Sequence, residues 1–386
     1  MGAIPYWRLS GFYFFYFASL GAMLPYWGLY LKTLDFNAQE IGELIAILSA
    51  TRIIAPNIWG WLADRSGKHI ALVRWGSFLA VWCFSGLLVG QSYWWLALLT
   101  GTFSFFWGAI LPQFEVITLG YLGSQTHRYS QIRLWGSIGF IVTVVLFGWL
   151  FKHISIILLP TLVIGWFACI WLTSLIVPER TTIPSSTTTK SFYQVLKQPK
   201  IIAFFLVCFL MQTSHGPYYT FYSIHLENYN YSRDLIGELW ALAVVAEVGI
   251  FLLMHYLLTR FSLSYLLIIS LGLTSIRWLF IGFYAESLTI LLLSQLLHAA
   301  SFGIFYGVSM QFIRNHFDDC HLGKAQALYN SSSFGAGGTV GSWVSGYTWG
   351  NAGAQVSYLW AAVICGIAVW ITWQWVSESP QKPITN

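Results

Sequence analysis

A glutamate and an arginine lie inside two apolar stretches of the sequence, where charged side chains are rarely found. Glu115 belongs to the apolar segment 93–122 and Arg133 to the segment 131–151, on either side of a short loop. Residue 124 is their midpoint, so in a helical hairpin the two side chains lie at equal depth and can pair. An arginine beside a carboxylate is suited to binding a carboxylate or hydroxyl group, because the guanidinium donates parallel hydrogen bonds.

Three more ionisable residues are expected to meet in the second half of the chain. Arg277 and His298 flank another short loop, each about ten residues or ~15 Å from its turn. Glu247 is central in the segment 235–258. A histidine between an arginine and a carboxylate suits a proton switch, because a modest bias changes its charge near neutral pH. Arg52 is assigned to the same proton-coupling group: an interval of 195 residues relates it to Glu247 and would place the opposite charges symmetrically about a central cavity.

Aromatic and histidine side chains complete the predicted binding site. Tyr16, Phe140, His215 and Tyr218 lie in apolar segments and would present rings to a planar or sugar-ring substrate. Packing in the protein core is the alternative for the rings, and structural ion pairs between helices are the alternative for the charges. Each charge requires a compensating interaction or a function, because a charge at the centre of a membrane span costs roughly 2.5–3.5 kcal/mol.

The composition indicates that membrane-spanning helices carry these residues. Hydrophobic residues make up 57% of the 386 residues and charged residues only 9%, too few to cover a soluble domain. A helix needs about 20 mostly apolar residues to cross a bilayer. Twelve segments meet this requirement: 7–31, 41–62, 70–91, 93–122, 131–151, 154–177, 201–226, 235–258, 264–284, 287–313, 324–349 and 354–376.

The chain also repeats itself at half its length. The word IGEL occurs at 41–44 and again at 236–239, and the longer stretch YLKTLDFNAQEIGELIA aligns with HLENYNYSRDLIGELWA. The polar stretch 178–200, which is rich in Pro, Ser and Thr, reads as a linker with six spans on each side. We therefore predict two pseudo-symmetric six-helix bundles, residues 1–177 and 201–386, joined by a cytoplasmic linker.

Basic residues predict the orientation of the spans. With twelve spans and a cytoplasmic start, most of the 19 Lys and Arg residues fall in cytoplasmic loops, so both termini are expected to be cytoplasmic. The net charge of +5 then reflects topology rather than binding to nucleic acid. Nucleotide-binding loops, metal-ligand spacings and nucleophile constellations do not stand out, so we expect neither an enzyme nor a cofactor or metal.

The loop after the second span, GWLADRSGKH, resembles the loop signature of the major facilitator superfamily at Gly60, Asp64, Arg65, Gly67 and Lys68. Nearly the whole chain is similar to the superfamily's proton-linked symporters that include the 3-phenylpropionate transporters and, more distantly, lactose permease. The segments that carry the likeness are IRLWGSIGF (132–140), VVAEVGIF (244–251), IRWLF (276–280) and QLLHAASFG (295–303). The resemblance implies an all-α membrane protein whose two bundles give alternating access to a midplane site.

The resemblance to lactose permease also implies residue roles. It indicates that the pair Glu115 and Arg133 binds substrate. Lactose permease has a carboxylate three residues after the histidine of its tenth helix, where this chain has Ser301, so Glu247 or that histidine is expected to carry the proton. Its sugar-stacking tryptophan is replaced by Phe140, which keeps an aromatic platform but disfavours a galactoside.

The sequence thus predicts a monomeric secondary transporter of the bacterial inner membrane. It would take up a small organic solute, an aromatic or other small carboxylic acid, together with protons. A sugar or nucleoside is the alternative substrate, because Glu115 and Arg133 could bind hydroxyl groups. An efflux antiporter and a non-transporting membrane sensor are the alternatives on the same fold.

Overall fold

The computed structural model describes residues 4–179 and 192–377, and all regular secondary structure within them is helical. Residues 180–191 of the predicted linker lie outside the described residues. The first half contains six long helices: α1 Tyr6–Thr33, α2 Ala38–Ser66, α3 His69–Ser85, α4 Tyr93–Leu122, α5 Tyr129–His153 and α6 Leu159–Leu175.

The second half is more interrupted. Its helices are α7 Phe192–Leu196, α8 Pro199–Ser214, α9 Gly216–Asn228, α10 Arg233–Arg260, α11 Leu263–Phe283, α12 Leu288–Leu296, α13 Phe305–His316, α14 Asp319–Asn330 and α15 Gly338–Ile371. Three π-helical segments follow α12, α14 and α15: Ala299–Ile304, Ser331–Gly337 and Thr372–Val376. Such segments are rare and often lie at functional sites.

Local sequence accounts for several helix ends. Asn37 accepts from the Glu40 amide while the Glu40 side chain accepts from the Asn37 amide, a capping box that starts α2. Gly67, in the loop signature, ends α2 with a φ of 64°, a left-handed conformation that glycine adopts without strain. The predicted span 201–226 is broken at His215, where Pro217 stands in the first turn of α9.

Ten helical stretches within the described residues are long and apolar enough to cross a membrane. The last of them, His321–Val376, has 56 residues and turns at Gly353, whose φ is 83°. The 28-residue helix α1 lies outside these ten. Ten stretches agree with a polytopic membrane protein, whereas twelve spans and cytoplasmic termini stay predictions.

Two large hydrophobic clusters form most of the core of the described residues, beside a small third one of Ala55, Trp59 and Ala109. One is built mainly from α1 to α6 and the other mainly from α8 to α15. Close backbone contacts join the halves: a Cβ on Gly28 would lie 2.7 Å from the Thr220 carbonyl oxygen, and one on Gly42 would lie 2.6 Å from the Gly346 Cα. Glycine at these positions lets helices approach closely, as in many membrane proteins.

Charged contacts between the halves lie where α1 and α5 end and α9 and α10 meet. We call this side of the molecule the far face, and the opposite side, which holds the ends of α2 and α10, the linker face. Lys32 Nζ lies 3.3 Å from Glu227 Oε2, and Lys152 Nζ lies 2.6 Å from Asp234 Oδ2. Arg233 donates to Glu227 at 3.0 Å. The far face is therefore closed by ion pairs.

Candidate functional site

Arg277, in the middle of α11, is the most deeply buried cation of the site. Its side chain is inaccessible to solvent and donates to the Ser294 carbonyl, the Ser301 hydroxyl and His298 Nδ1 at 2.9–3.0 Å. Its guanidinium also lies 4.2 Å from the centre of the Tyr218 ring. Every partner in this direct shell is uncharged, since an arginine only donates and His298 Nδ1 must accept here.

His298 connects this arginine to Glu247. Because Nδ1 accepts from Arg277, the ring proton is placed on Nε2, which faces Glu247 Oε2 at 3.7 Å. Gly303, in the π-helical segment after His298, lets α10 come close, because a Cβ there would overlap Ile250 and lie 3.7 Å from the Glu247 Cγ. The structure thus brings together three of the four residues expected to couple protons.

Gln295 and two tyrosines support Arg277 and were missed in the sequence. Gln295 Oε1 accepts from Tyr218 at 2.9 Å and from Arg277 at 3.4 Å, and Gln295 Nε2 donates to the Tyr222 hydroxyl at 2.7 Å. The signal was available, since Gln295 is three residues before His298 and so shares its helix face. Tyr218, predicted to contact substrate, lies fully buried beneath Arg277.

Glu115 and Arg133 are near each other but do not form the expected direct pair. Glu115 Oε1 accepts from the Tyr129 hydroxyl at 3.1 Å, and the Arg133 guanidinium stacks 3.8 Å from the centre of the Phe17 ring. Between these two described side chains no ion pair shorter than 4 Å is present. Each charge therefore contacts an aromatic residue instead of the opposite charge that the sequence spacing predicted.

Arg133 also acts on the other half of the molecule. Its charge interacts with Glu247 as well as with Glu115, and all three act on Tyr306. We call the region between the halves that these partly exposed side chains face the inter-half space. Arg133 stands on one side of it and Glu247 on the other.

Arg52 lies apart from the coupling residues to which it was assigned. Its charge acts on Tyr16 of α1 and on Tyr219 of α9, and Glu247 acts on the same Tyr219. Arg52 and Glu247 therefore both face the inter-half space, but no direct contact joins these two described residues. Tyr16 is buried, with its ring 5.7 Å from that of Trp107.

The remaining predicted rings are packed in the protein. Phe140 belongs to the hydrophobic core and is 7% exposed, so in this conformation it offers little surface to a ligand. His215 Nδ1 lies 2.8 Å from the Met211 carbonyl oxygen, and its ring stacks on Tyr219. His215 Nε2 is buried and has no hydrogen-bond partner among the described residues.

The loop signature occupies the linker face as expected. Arg65 stacks over the Trp61 ring at 5.6 Å, and Gly60 faces Gln113, whose Oε1 lies 2.9 Å from His69 Nδ1. Asp64 lies in the last turn of α2, and Lys68 directly precedes α3. The role of this loop in conformational change stays a prediction.

A helical, many-span chain whose ionisable residues meet deep among its helices has the organisation of a membrane transporter. Residues 6–360 match the profile of the MFS_1 like family, so the chain belongs to this family, a group within the major facilitator superfamily. It is a transporter rather than an enzyme, and an integral protein of the bacterial inner membrane.

Relatives support this assignment along almost the entire chain. A probable 3-phenylpropionic acid transporter of Escherichia coli (strain K12) is 28% identical over 367 residues, covering 92% of this chain and 94% of the relative. The maltose permease of Geobacillus stearothermophilus is 24% identical over 346 residues, covering 87% and 86%. Among solved structures, a mutant of the nucleoside transporter NupG superposes with a TM-score of 0.86 at 17% identity, covering 96% of this chain and 100% of that one.

Proposed function

We propose that this transporter imports a small organic acid together with protons, in a cycle of alternating access. The arrangement of Glu247, His298 and Arg277 carries the proposal. A carboxylate and a histidine in contact, deep among apolar helices, form a group that can load and release a proton. The proton gradient supplies the energy, no cofactor takes part, and one chain acts as a monomer.

The coupling step follows from the tautomer of His298. A proton arriving on Glu247 neutralises that carboxylate and removes its attraction for the Nε2–H of His298. A second proton on the ring would have to sit on Nδ1, where it would point at the Arg277 donor and break that contact. Arg277 thus keeps His298 neutral, and Glu247 is the group that loads the proton.

Substrate would bind in the inter-half space. Arg133 is within electrostatic reach of both Glu115 and Glu247, so an anion that joins it competes with both carboxylates. Substrate binding then favours protonation of Glu247, because Arg133 no longer compensates its charge. Solute and proton would bind together, as symport requires, and release of the far-face ion pairs would open the outer side.

The test is transport by the purified protein in liposomes. Glu247→Gln should retain counterflow, which needs no net proton movement, but lose accumulation against a gradient and substrate-driven proton uptake. Glu238→Gln is the matched control, since Glu238 lies on the same helix and is exposed. Undiminished proton uptake by Glu247→Gln would remove Glu247 from the mechanism. Substrate movement opposite to the protons would instead identify an efflux antiporter.

A neutral sugar or nucleoside is the second candidate substrate. The maltose permease and the nucleoside transporter among the similar proteins favour it, as does Glu115, whose carboxylate already accepts from a hydroxyl group. Counterflow with maltose, nucleosides and aromatic acids in parallel separates the two. Failure of every solute to exchange would favour a sensor that does not transport.

A further inference from the structure

Five charged side chains of the described membrane-spanning helices belong to the candidate site: Arg52, Arg133, Arg277, Glu115 and Glu247. The two histidines of the site stay neutral, because Arg277 donates to His298 Nδ1 and His215 Nε2 has no partner that would hold a second proton. The five charges can therefore be compared by the partners that each of them has.

Four of these five charges have a partner. Arg277 has hydrogen-bond acceptors on α12 and beyond it, Glu247 has His298, and Glu115 has the Tyr129 hydroxyl. Arg133 has the face of the Phe17 ring. Across residues 4–179 and 192–377, Arg52 alone of the five makes no hydrogen bond, ion pair or ring contact. A guanidinium inside a membrane protein pairs with another group or faces a water-filled cavity, so Arg52 is open to an exchangeable anion.

The surroundings of Arg52 suit a ligand that binds and leaves. Gly108 on α4 leaves room for the arginine stem, with a Cβ there 3.9 Å from the Arg52 Cγ. Gly335, in the π-helical segment of the second half, packs against the Arg52 and Ile53 backbone, with a Cβ there 3.2 Å from the Arg52 carbonyl carbon. Arg52 thus stands where α2 meets the other half, at a contact that must change when the halves move.

A partly exposed aromatic ring lies within reach of the Arg52 charge. Tyr219 on α9 feels this charge and stacks on His215, whereas Tyr16 on α1 also feels it but is buried. An aromatic ring beside a guanidinium can bind the apolar body of a ligand while the guanidinium donates hydrogen bonds to the ligand's charged end.

We infer that Arg52 binds the carboxylate of a substrate with an apolar body. The inference rests on the proposed transport function and names its substrate class. A carboxylate supplies the anionic acceptor that Arg52 lacks, whereas a neutral sugar or nucleoside offers this guanidinium only uncharged acceptors. Arg52 then shares the substrate carboxylate with Arg133, the other arginine that faces the inter-half space.

Equilibrium binding in detergent, without any gradient, tests this. The probes are monocarboxylates of increasing size (benzoate, phenylacetate, 3-phenylpropionate and hexanoate), the amide of each acid, maltose and xanthosine. We expect at least one acid to bind the unaltered protein and its uncharged amide to bind at least about tenfold more weakly. Arg52→Gln should weaken acid binding about 10- to 100-fold, and Arg52→Lys should recover part of the loss. Arg260→Gln is the matched control, because it removes the same charge at the linker end of α10.

Several outcomes would overturn the inference. These are binding of maltose or xanthosine but of no acid, an amide that binds as tightly as its acid, an Arg52→Gln protein with unchanged acid affinity, and no binding by any probe. The comparison of acid with amide uses the unaltered protein, so it stands even where a variant fails to fold. A neutral solute that still moved with protons would leave the proposed symport intact and remove only the role of Arg52.

Discussion

Reversing the charge of Lys32 should open the far face. Lys32 and Glu227 are 195 positions apart, the interval of the internal repeat, so the ion pair joins two equivalent positions of the two halves. Their side chains are 41% and 28% exposed, which limits an ion pair to about 0.2–1 kcal/mol. Lys32→Glu removes this attraction and adds a repulsion of similar size, about 0.4–2 kcal/mol in total.

Arg233 reduces this effect, because it stays on Glu227 and shields its charge. We therefore expect the lower part of the range, about a 2- to 10-fold higher population open at the far face. Labelling of Ser342→Cys by a maleimide measures that population. Ser342 is only 3% exposed and its carbonyl lies against Gly42, so the thiol reacts when the halves part there. The protein without Ser342→Cys gives the background from the native cysteines.

Two further variants make the result decisive. The exchange Lys32→Glu with Glu227→Lys restores opposite charges and should return labelling towards the parent rate. Lys197→Glu makes the same charge change on the linker face and should leave the rate unaltered. An unchanged rate in Lys32→Glu, or equal acceleration in the exchanged pair, would refute the view that this contact holds the far face closed.

Three more predictions concern the seam and the buried cluster. Gly237→Ala would drive a Cβ into the Val144 carbonyl oxygen and should speed Ser342→Cys labelling about tenfold. Gly249→Ala is the control and should not change the rate, because nothing lies within 4 Å of its Cβ. Equal labelling rates in the two variants would contradict the view that the backbone contact at Gly237 holds the halves together. Raising salt from about 0.05 M to about 0.5 M should speed labelling of the parent but not of Lys32→Glu, because exposed ion pairs are screened. Ser301→Ala removes one acceptor from Arg277 and should destabilise the protein by about 1–3 kcal/mol; an unchanged melting temperature would show that water replaces the hydroxyl.

Sequence reasoning succeeded where spacing along a helix determines depth. Counting residues from shared turns placed Arg277 and His298 at one level, and the structure joins them at 3.0 Å. The same counting placed Glu115 and Arg133 at one level but could not show that Glu115 accepts from Tyr129 and that Arg133 stacks on Phe17. Depth follows from the helical rise, whereas the direction of a side chain around the helix depends on neighbours that only the fold supplies.

Breaks in helices were the other feature that the sequence analysis did not predict. The π-helical segment after His298 and the break at His215 occur inside continuous apolar runs, and a hydropathy pattern is blind to them. Pro217 was a visible signal for the second break. For the first, Gly303 was a signal, yet glycine in a membrane helix more often marks close packing than a change of helix type.

The internal repeat, taken with the structure, allows equivalent positions of the two halves to be compared. Equivalent positions lie symmetrically about the pseudo-twofold axis, so their separation is twice their distance from it. Lys32 and Glu227 touch at the far face, whereas Arg52 and Glu247, the same interval apart but deep in their helices, do not. These repeat-related side chains therefore touch at the far face and stand apart deeper in their helices, although the α2 backbone at Arg52 still packs against Gly335. That separation leaves room between Arg52 and Glu247 for an anion, and closing it would bring the anion's charge and the proton on Glu247 into one compartment.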